Sequence, residues 1–351
     1  MSKVAVMKTS PETVLADYTA LMHLADYESY LPRDRRTIVK LNLSWSLYFP
    51  ACSTEPWQLE GVLKTLRDDG YTDIVAMENK TVVTNVMKGA TGNKWLPVLK
   101  KYDVELVPLE GVSWVPYRPQ ERLLVLDTKV FPHLTIPEPF LGTNVLHLPT
   151  MKTHGHAVMT GAMKNAFGGL LQEARHHCHT YIHEVLVDLL TIQREIHTGM
   201  FAVTDGTVCG DGAGPRTMVP RIMNYILASG DMVSIDAIAS QMMGFQPLHI
   251  PKIKTAHDMG LGTGDPGGIE VVGEDISGVD FHFHTSKSPV IFFDRLLRAS
   301  VIEPLLFRTW FFNLCILASG VYHDYLWYPL IGRRRVHQFM ETEWGSLFRS
   351  Y

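Results

Sequence analysis

Cysteine is scarce in this chain of 351 residues: there are four, at positions 52, 178, 209 and 315, and no C-x-x-C pair. That spacing cannot hold an intrinsic iron–sulfur cluster, and scattered single thiols suit a reducing compartment. Charge is scarce as well, with 19% charged residues, a formal net charge of -4 and a pI near 6.5. No basic run is longer than Arg333–Arg335, so nucleic acid is excluded as the expected partner. An apolar run of the ~20 residues needed for a membrane span is missing; the longest charge-free run in the C-terminal region, Thr309 to Tyr322, has 14. The opening MSKVAVMKTS lacks the apolar core of a secretory signal, so a cytoplasmic location is expected. Nucleotide fingerprints are absent too. GDGAGP (210–215) does not open a helix after a first strand, and GLGTGDPGG (260–268) lacks the Lys-Ser/Thr of a P-loop. Both read as turns, the first flexible enough to serve also as a backbone cradle for an anion.

What is present is a chain that is 46% hydrophobic, enough for one large or two ordinary cores. Apolar spacing predicts a helix within 11–30. TIVKLNL (37–43), a helix over 54–70 and DIVAME (73–78) then form a βαβ unit. A helix at 93–102 and strands at 104–109, 123–127 and 144–148 continue the alternation. Ile182, Val185, Leu186, Leu189 and Leu190 mark an amphipathic helix to Ile196, followed by strands at 201–205, within 218–230 and at 269–275, with a helix over 232–244. This order predicts an α/β fold with a mostly parallel or mixed sheet and helices on both faces.

Chemistry concentrates between Leu148 and His183, where two lysines, six histidines and an arginine fall within 36 residues. Lys152 and His154 lie two apart after a predicted strand, and so point to one face. Lys164 and Asn165 open a small-residue turn, and glycines 161, 168 and 169 permit close approach to a ligand. Lys40, Asn42 and Glu78 end strands, where open α/β sheets bind ligands. His154 and His177 are the favoured proton carriers, because imidazole titrates near neutrality. His154, His156 and His176 are the candidates for a divalent metal, with His176, His179 and His183 spaced to stack on one helical face.

LPTMKTHGHAVMTGAMKNAFGG (148–169), ARHH (174–177), TDG and GDGAGP (204–215), LASGDMVSIDAIASQMMGF (227–245) and GLGTGDPGGIEVVGE (260–274) together resemble the domain of unknown function 362 family. VKLNL (39–43), Thr54–Pro56 and VAMENK (75–80) extend the resemblance to roughly 36–275. Many members of that family carry ferredoxin-type cysteine clusters, which this chain lacks, and the family is distantly similar to the N-terminal domain of nickel-pincer lactate racemase. The resemblance adds Arg175, Asp205 and Asp236 to the site and implies a catalytic α/β domain over 36–275, after an N-terminal helix (1–35).

Residues 276–351 differ in kind, being rich in aromatic and aliphatic side chains. They are expected to form an apolar, helical extension, with a helix at 301–319 packed over the Lys/His cleft or against a partner in a homodimer. The expected function is proton-transfer chemistry, of isomerase or lyase type rather than redox, on a small anionic substrate. In this reading Lys152, His154, Lys164, His177 and Asp205 are catalytic, while Lys40, Asn42, Glu78, Asn165, Arg175 and Asp236 bind substrate. A divalent metal is allowed to assist. Two alternatives stand beside it: diphosphate chemistry on an isoprenoid-like substrate enclosed by Trp310, Phe311, Phe312, Tyr325 and Trp327, and a non-enzymatic metal or cofactor carrier.

Overall fold

The computed structural model describes residues 1–351 except 173–174, 299, 301–302 and 308. Its strands are β1 (Ser2–Lys8), β2 (Thr37–Lys40), β3 (Ile74–Glu78), β4 (Glu105–Pro108), β5 (Trp114–Pro116), β6 (Thr135–Pro137), β7 (Asn144–His147), β8 (Thr150–His154), β9 (Val158–Met159), β10 (Gly199–Ala213), β11 (Thr217–Ser229) and β12 (Ile269–Gly273). The main sheet has ten strands in the order β12-β1-β11-β10-β7-β2-β3-β4, with β8 branching from β10 and β9 pairing with β8. From β10 to β4 all pairings are parallel. The hairpin β10/β11 and the pair β1/β11 are antiparallel, so the sheet is mixed but mostly parallel.

Period-two alternation divides the strand side chains between two cores. Ala5, Val39, Phe201, Val203, Ile226 and Ala228 face the helices Val14–Leu24, Pro56–Asp68 and Trp95–Lys101. Val4, Val6, Ala202 and Leu227 face the helix Met232–Met242, while Ile38, Val75 and Met77 join the cluster of the helix Ile182–Ile196. Helices therefore cover both faces, as the alternation of elements predicts.

Three segments depart from expectation. LLVLD (123–127) is not a strand, because the backbone N–H groups of Leu124, Val125 and Leu126 donate to the buried carboxylate of Asp188, at 2.6, 2.9 and 2.8 Å. A side chain thus takes the bonds that a neighbouring strand would have supplied. The helix expected at 93–102 is present as Trp95–Lys101, and a further short helix, Val86–Gly92, precedes it. Gly206–Ala213, expected as a loop, continues β10. Its glycines admit β8 at close range: a Cβ on Gly214 would lie 1.8 Å from the carbonyl oxygen of Thr153, and the Thr153 hydroxyl donates to the carbonyl of Gly212 at 2.9 Å. The N-terminus also contributes more than a helix, since β1 lies inside the sheet between β11 and β12.

The C-terminal region is helical at Pro289–Arg298, Glu303–Phe307, Phe312–Gly320, Val321–Gly332 (with wide π-type turns), Arg333–Met340 and Glu343–Ser350. Parts of the helix expected at 301–319 fall at 301–302 and 308, outside the described residues. The last two helices return to the body: Trp344 packs on Trp57 with ring centres 4.9 Å apart, and Phe348 stacks on Tyr48 at 3.8 Å. Among the described residues no helix is long and apolar enough to cross a membrane.

Replacing Asp188 by Ala removes one carboxylate and strands three N–H groups. The expected loss is about 3 kcal/mol, read as a lowered midpoint in urea unfolding. A loss under ~0.5 kcal/mol would show that the 124–130 segment is held by other means.

Candidate functional site

Three lysines, Lys40, Lys152 and Lys252, are buried in this protein and a fourth, Lys164, is half-buried; each is accommodated differently. Lys40, 1% exposed on β2, pairs with Glu78 of β3 at 2.9 Å and also donates to the carbonyl of Leu41. Lys252 pairs with Asp236 at 2.9 Å and donates to the carbonyl of Thr160 at 2.9 Å. Lys152 has no carboxylate. Its ammonium donates to Asn42 Oδ1 at 2.7 Å, to the carbonyl of Cys52 at 3.0 Å and to the Thr150 hydroxyl, and burial pulls its pKa down to about 8 against the opposing field of Cys52 and Glu55. Lys164 has still less: among the described residues no hydrogen-bond acceptor or carboxylate reaches it, and its nitrogen lies 5.1 Å above the Phe167 ring. Burial, then the fields of Lys152 and Lys252, lower its pKa to about 7.

The turn that carries Lys164 is fixed from behind. Asp236, at the middle of its helix, accepts the N–H of Ala162 at 2.6 Å and so starts the short helix Ala162–Asn165. The carboxylate sits where a Cβ on Gly161 would be, at 2.2 Å, and Gly161 has a φ of +121°; only glycine suits this position. Asn165 is anchored in turn, donating to the carbonyl of Lys40 at 2.9 Å.

Lys164 faces a cavity of about 660 Å³. Lys40, Asn42, Glu78, His154, Asn165 and Arg175 also line it, together with Arg216, which donates to the carbonyl of Ser44 at 3.0 Å. The opposite wall is mostly apolar: Ile291, Phe293, Leu297, Phe307, Phe312, Ile316 and Tyr322, with the paired Asp294 and Arg298 among them. Cations thus converge at one end of the space, and hydrocarbon and aromatic groups line the other.

Several expected site residues lie elsewhere. Lys152 does not line the cavity; it touches it only through Asn42, whose carbonyl it holds. Asp205 is buried on the other side of the sheet, accepting from Tyr18 at 2.6 Å, Trp57 at 3.0 Å and the Thr207 hydroxyl at 2.8 Å. Asp236 acts on the backbone beneath Lys164, not on the cavity. His177 packs on His176, with ring centres 4.0 Å apart, and is not among the described lining residues.

The histidines sort themselves by partner. His154 Nδ1 accepts the N–H groups of His156 and Ala157, both at 3.2 Å, which leaves the ring proton on Nε2. Burial holds its pKa well below the usual imidazole value. His176 stacks on Phe312 at 3.6 Å, and His183 Nδ1 accepts the N–H of Lys252 at 3.3 Å. Of the three metal candidates, His156 alone joins a cluster with ligand geometry among the described residues. Its ligand atom, one of His179 and one of Asp294 all lie within 4.8 Å of one another.

A family model described as a domain of unknown function, DUF362, matches residues 37–241. The chain belongs to this family. A thylakoid-associated protein of Synechocystis is 22% identical over 214 residues, which is 60% of this chain and 63% of that protein; the chain therefore spans less than two thirds of that relative's length. A solved structure from Thermotoga maritima aligns with 62% of this chain and 54% of its own at 9% identity, with a TM-score of 0.39, too low to speak for the fold.

Within the cavity, the DUF362 region supplies the polar end, from Lys40 to Arg216, whereas the apolar wall comes from residues 289–323, beyond the match. Arg216, Lys252, and the trio of His156, His179 and Asp294 extend the site read from sequence. Lys252 carries no local signal, since PKIKTAHD (251–258) reads as an ordinary surface helix. Lys252→Met would leave Asp236 buried and unpaired, at an expected cost of about 3–5 kcal/mol. Combining it with Asp236→Asn should recover part of that loss in urea unfolding. Equal stability of the single and double variants would contradict the coupling.

Proposed function

We propose that this DUF362 protein is an enzyme that moves a proton on an anionic, amphiphilic substrate, with Lys164 as the proton carrier. The observation that carries this reading is Lys164 itself: a half-buried lysine facing the cavity with no counter-charge among the described residues, set where a cationic wall meets a mostly apolar one. A carboxylate or phosphate head is the partner that such an arrangement lacks. Arg175 and Arg216 hold the head, and the Nε2–H of His154 donates to it. The hydrocarbon body lies against Ile291, Leu297, Phe312 and Ile316.

With a pKa of about 7, the Lys164 amine is free in a large fraction of molecules at neutral pH and can accept a proton from the substrate. Returning that proton to another atom completes an isomerisation or elimination with no oxidant or reductant. The wall that binds the head also offsets the negative charge that develops on the substrate.

A second reading rests on the trio of His156, His179 and Asp294. Two imidazoles and one carboxylate form a ligand set for a divalent ion, and diphosphate chemistry on an isoprenoid-like substrate would use such an ion to neutralise the leaving group. Arg298 already donates to Asp294 at 2.9 Å, so a metal must share that carboxylate. Equilibrium dialysis against Co(II) should then give stoichiometric binding that is lost in His179→Ala. No binding to the wild-type protein would end this reading.

For the main reading, octanesulfonate is a suitable probe because its head does not titrate. It should bind more tightly than methanesulfonate, which lacks the hydrocarbon. Binding should raise the pKa of Lys164, so the complex takes up a proton: about 0.9 per molecule at pH 8, with affinity falling about fivefold from pH 7 to 8 and about ninefold from pH 8 to 9. Calorimetry in buffers of different ionisation enthalpy measures both. Lys164→Ala should abolish the uptake and weaken binding, whereas uptake that persists in the variant would contradict the assignment.

A further inference from the structure

Apart from Met1, every large apolar side chain more than half exposed among the described residues lies between residues 292 and 330. Phe293 is 57% exposed, Trp310 64%, Leu317 63%, Tyr325 76% and Leu330 76%. The helix Phe312–Gly320 shows why. Phe312, Cys315, Ile316 and Ser319 line the cavity, which accounts for one face at helical spacing. Leu314 and Leu317 project from the other face and meet solvent. A helix that is apolar all round needs an apolar medium on both sides, and here one side is without it.

The exposed charges of this face, among its described side chains, are of one sign. Among the described side chains from 289 to 335, the exposed charged ones are Arg295, Arg333 and Arg334. Arg295 sits between Phe293 and Leu296, and Arg333 and Arg334 directly follow the exposed Leu330 and Ile331. The acids of the same stretch whose side chains are described are turned inward: Asp294 is bonded by Arg298 and Asp324 by Trp45, at 2.9 and 2.7 Å. Exposed aliphatic groups, a Trp and a Tyr, with arginines at the margin, match the interface of an anionic bilayer.

We propose that the outer face of the helices Pro289–Arg298, Phe312–Gly320 and Val321–Gly332 lies in the surface of an anionic membrane, without spanning it, so that the cavity wall and the membrane-facing surface are two sides of one layer of helices. A second copy of this chain is disfavoured as the occupant, because a two-fold contact through this face would bring Arg295, Arg333 and Arg334 against their own kind. The proposal goes beyond the reading of the cavity and does not depend on what the cavity binds.

The full-length protein should sediment with vesicles of phosphatidylcholine and phosphatidylglycerol, and more weakly with phosphatidylcholine alone. Arg295→Glu, Arg333→Glu and Arg334→Glu together should remove the preference for anionic lipid, each arginine accounting for roughly fivefold in partition. Replacing Trp310, Leu317 and Leu330 together by Ser removes groups that are already in solvent, so the fold should survive, as circular dichroism and unchanged urea unfolding would show, while vesicle binding is lost. Wild-type protein left in the supernatant, or equal binding by the folded Ser variant, would overturn the proposal. So would light scattering that finds a dimer which the Ser variant dissociates and which leaves vesicles untouched, because the occupant would then be a second copy.

Discussion

An ammonium group taken out of water must find a counter-charge, find neutral acceptors, or give up its proton, and much of this structure follows from four lysines meeting that demand in different ways. Lys40 and Lys252 have carboxylates at 2.9 Å. Lys152 is ringed by three neutral oxygens. Among the described residues Lys164 has none of these, and its environment lowers its pKa to about 7. The first three lock β2 to β3, the turn beneath Lys164 to the helix Met232–Met242, and β8 to the loops before the helix Pro56–Asp68. With its neighbours fixed in this way, Lys164 faces the cavity beside Arg175 and Arg216 with no acceptor or carboxylate of its own among the described residues.

Position in the fold explains why that vacancy is useful. Parallel strands β2 and β3 end at Lys40 and Glu78, at the edge where open α/β sheets form their crevices. The Asp236 carboxylate, buried behind Gly161, sets the direction in which residues 162–165 leave the sheet. Over this edge the C-terminal helices add the apolar wall, and their last turns return to pack Trp344 and Phe348 into the main core. The extension is therefore wall and core at once, tied down at its far end and exposed along its middle.

Much of the architecture was legible in the chain. The helix Ile182–Ile196 falls where its apolar spacing places it, because a one-sided stripe has a single solution against a sheet. LLVLD misleads, because the partner of its backbone is the side chain of Asp188, more than 60 residues away. MSKVAVMK gives a strand without the turn signals that would frame it, and it is recognisable only once β11 and β12 stand on either side. In the site, Lys164, Asn165 and Arg175 could be read from a local concentration of unusual residues. Lys152 shares that concentration but points into a cage of neutral oxygens. Asp294 could not be read at all, since nothing in VIFFDRLLR indicates that its acid lies beside His156 and His179.

The central claim, that Lys164 is a half-buried amine poised near neutrality, is tested most directly by its own titration. Reductive methylation with a ¹³C label, assigned by comparison with Lys164→Arg, would allow its resonance to be followed with pH. The account predicts a midpoint near 7, as the burial of Lys164 and the surrounding cations require. A midpoint near the ordinary lysine value of ~10.4 would mean that the group is solvated or paired, and would contradict the account.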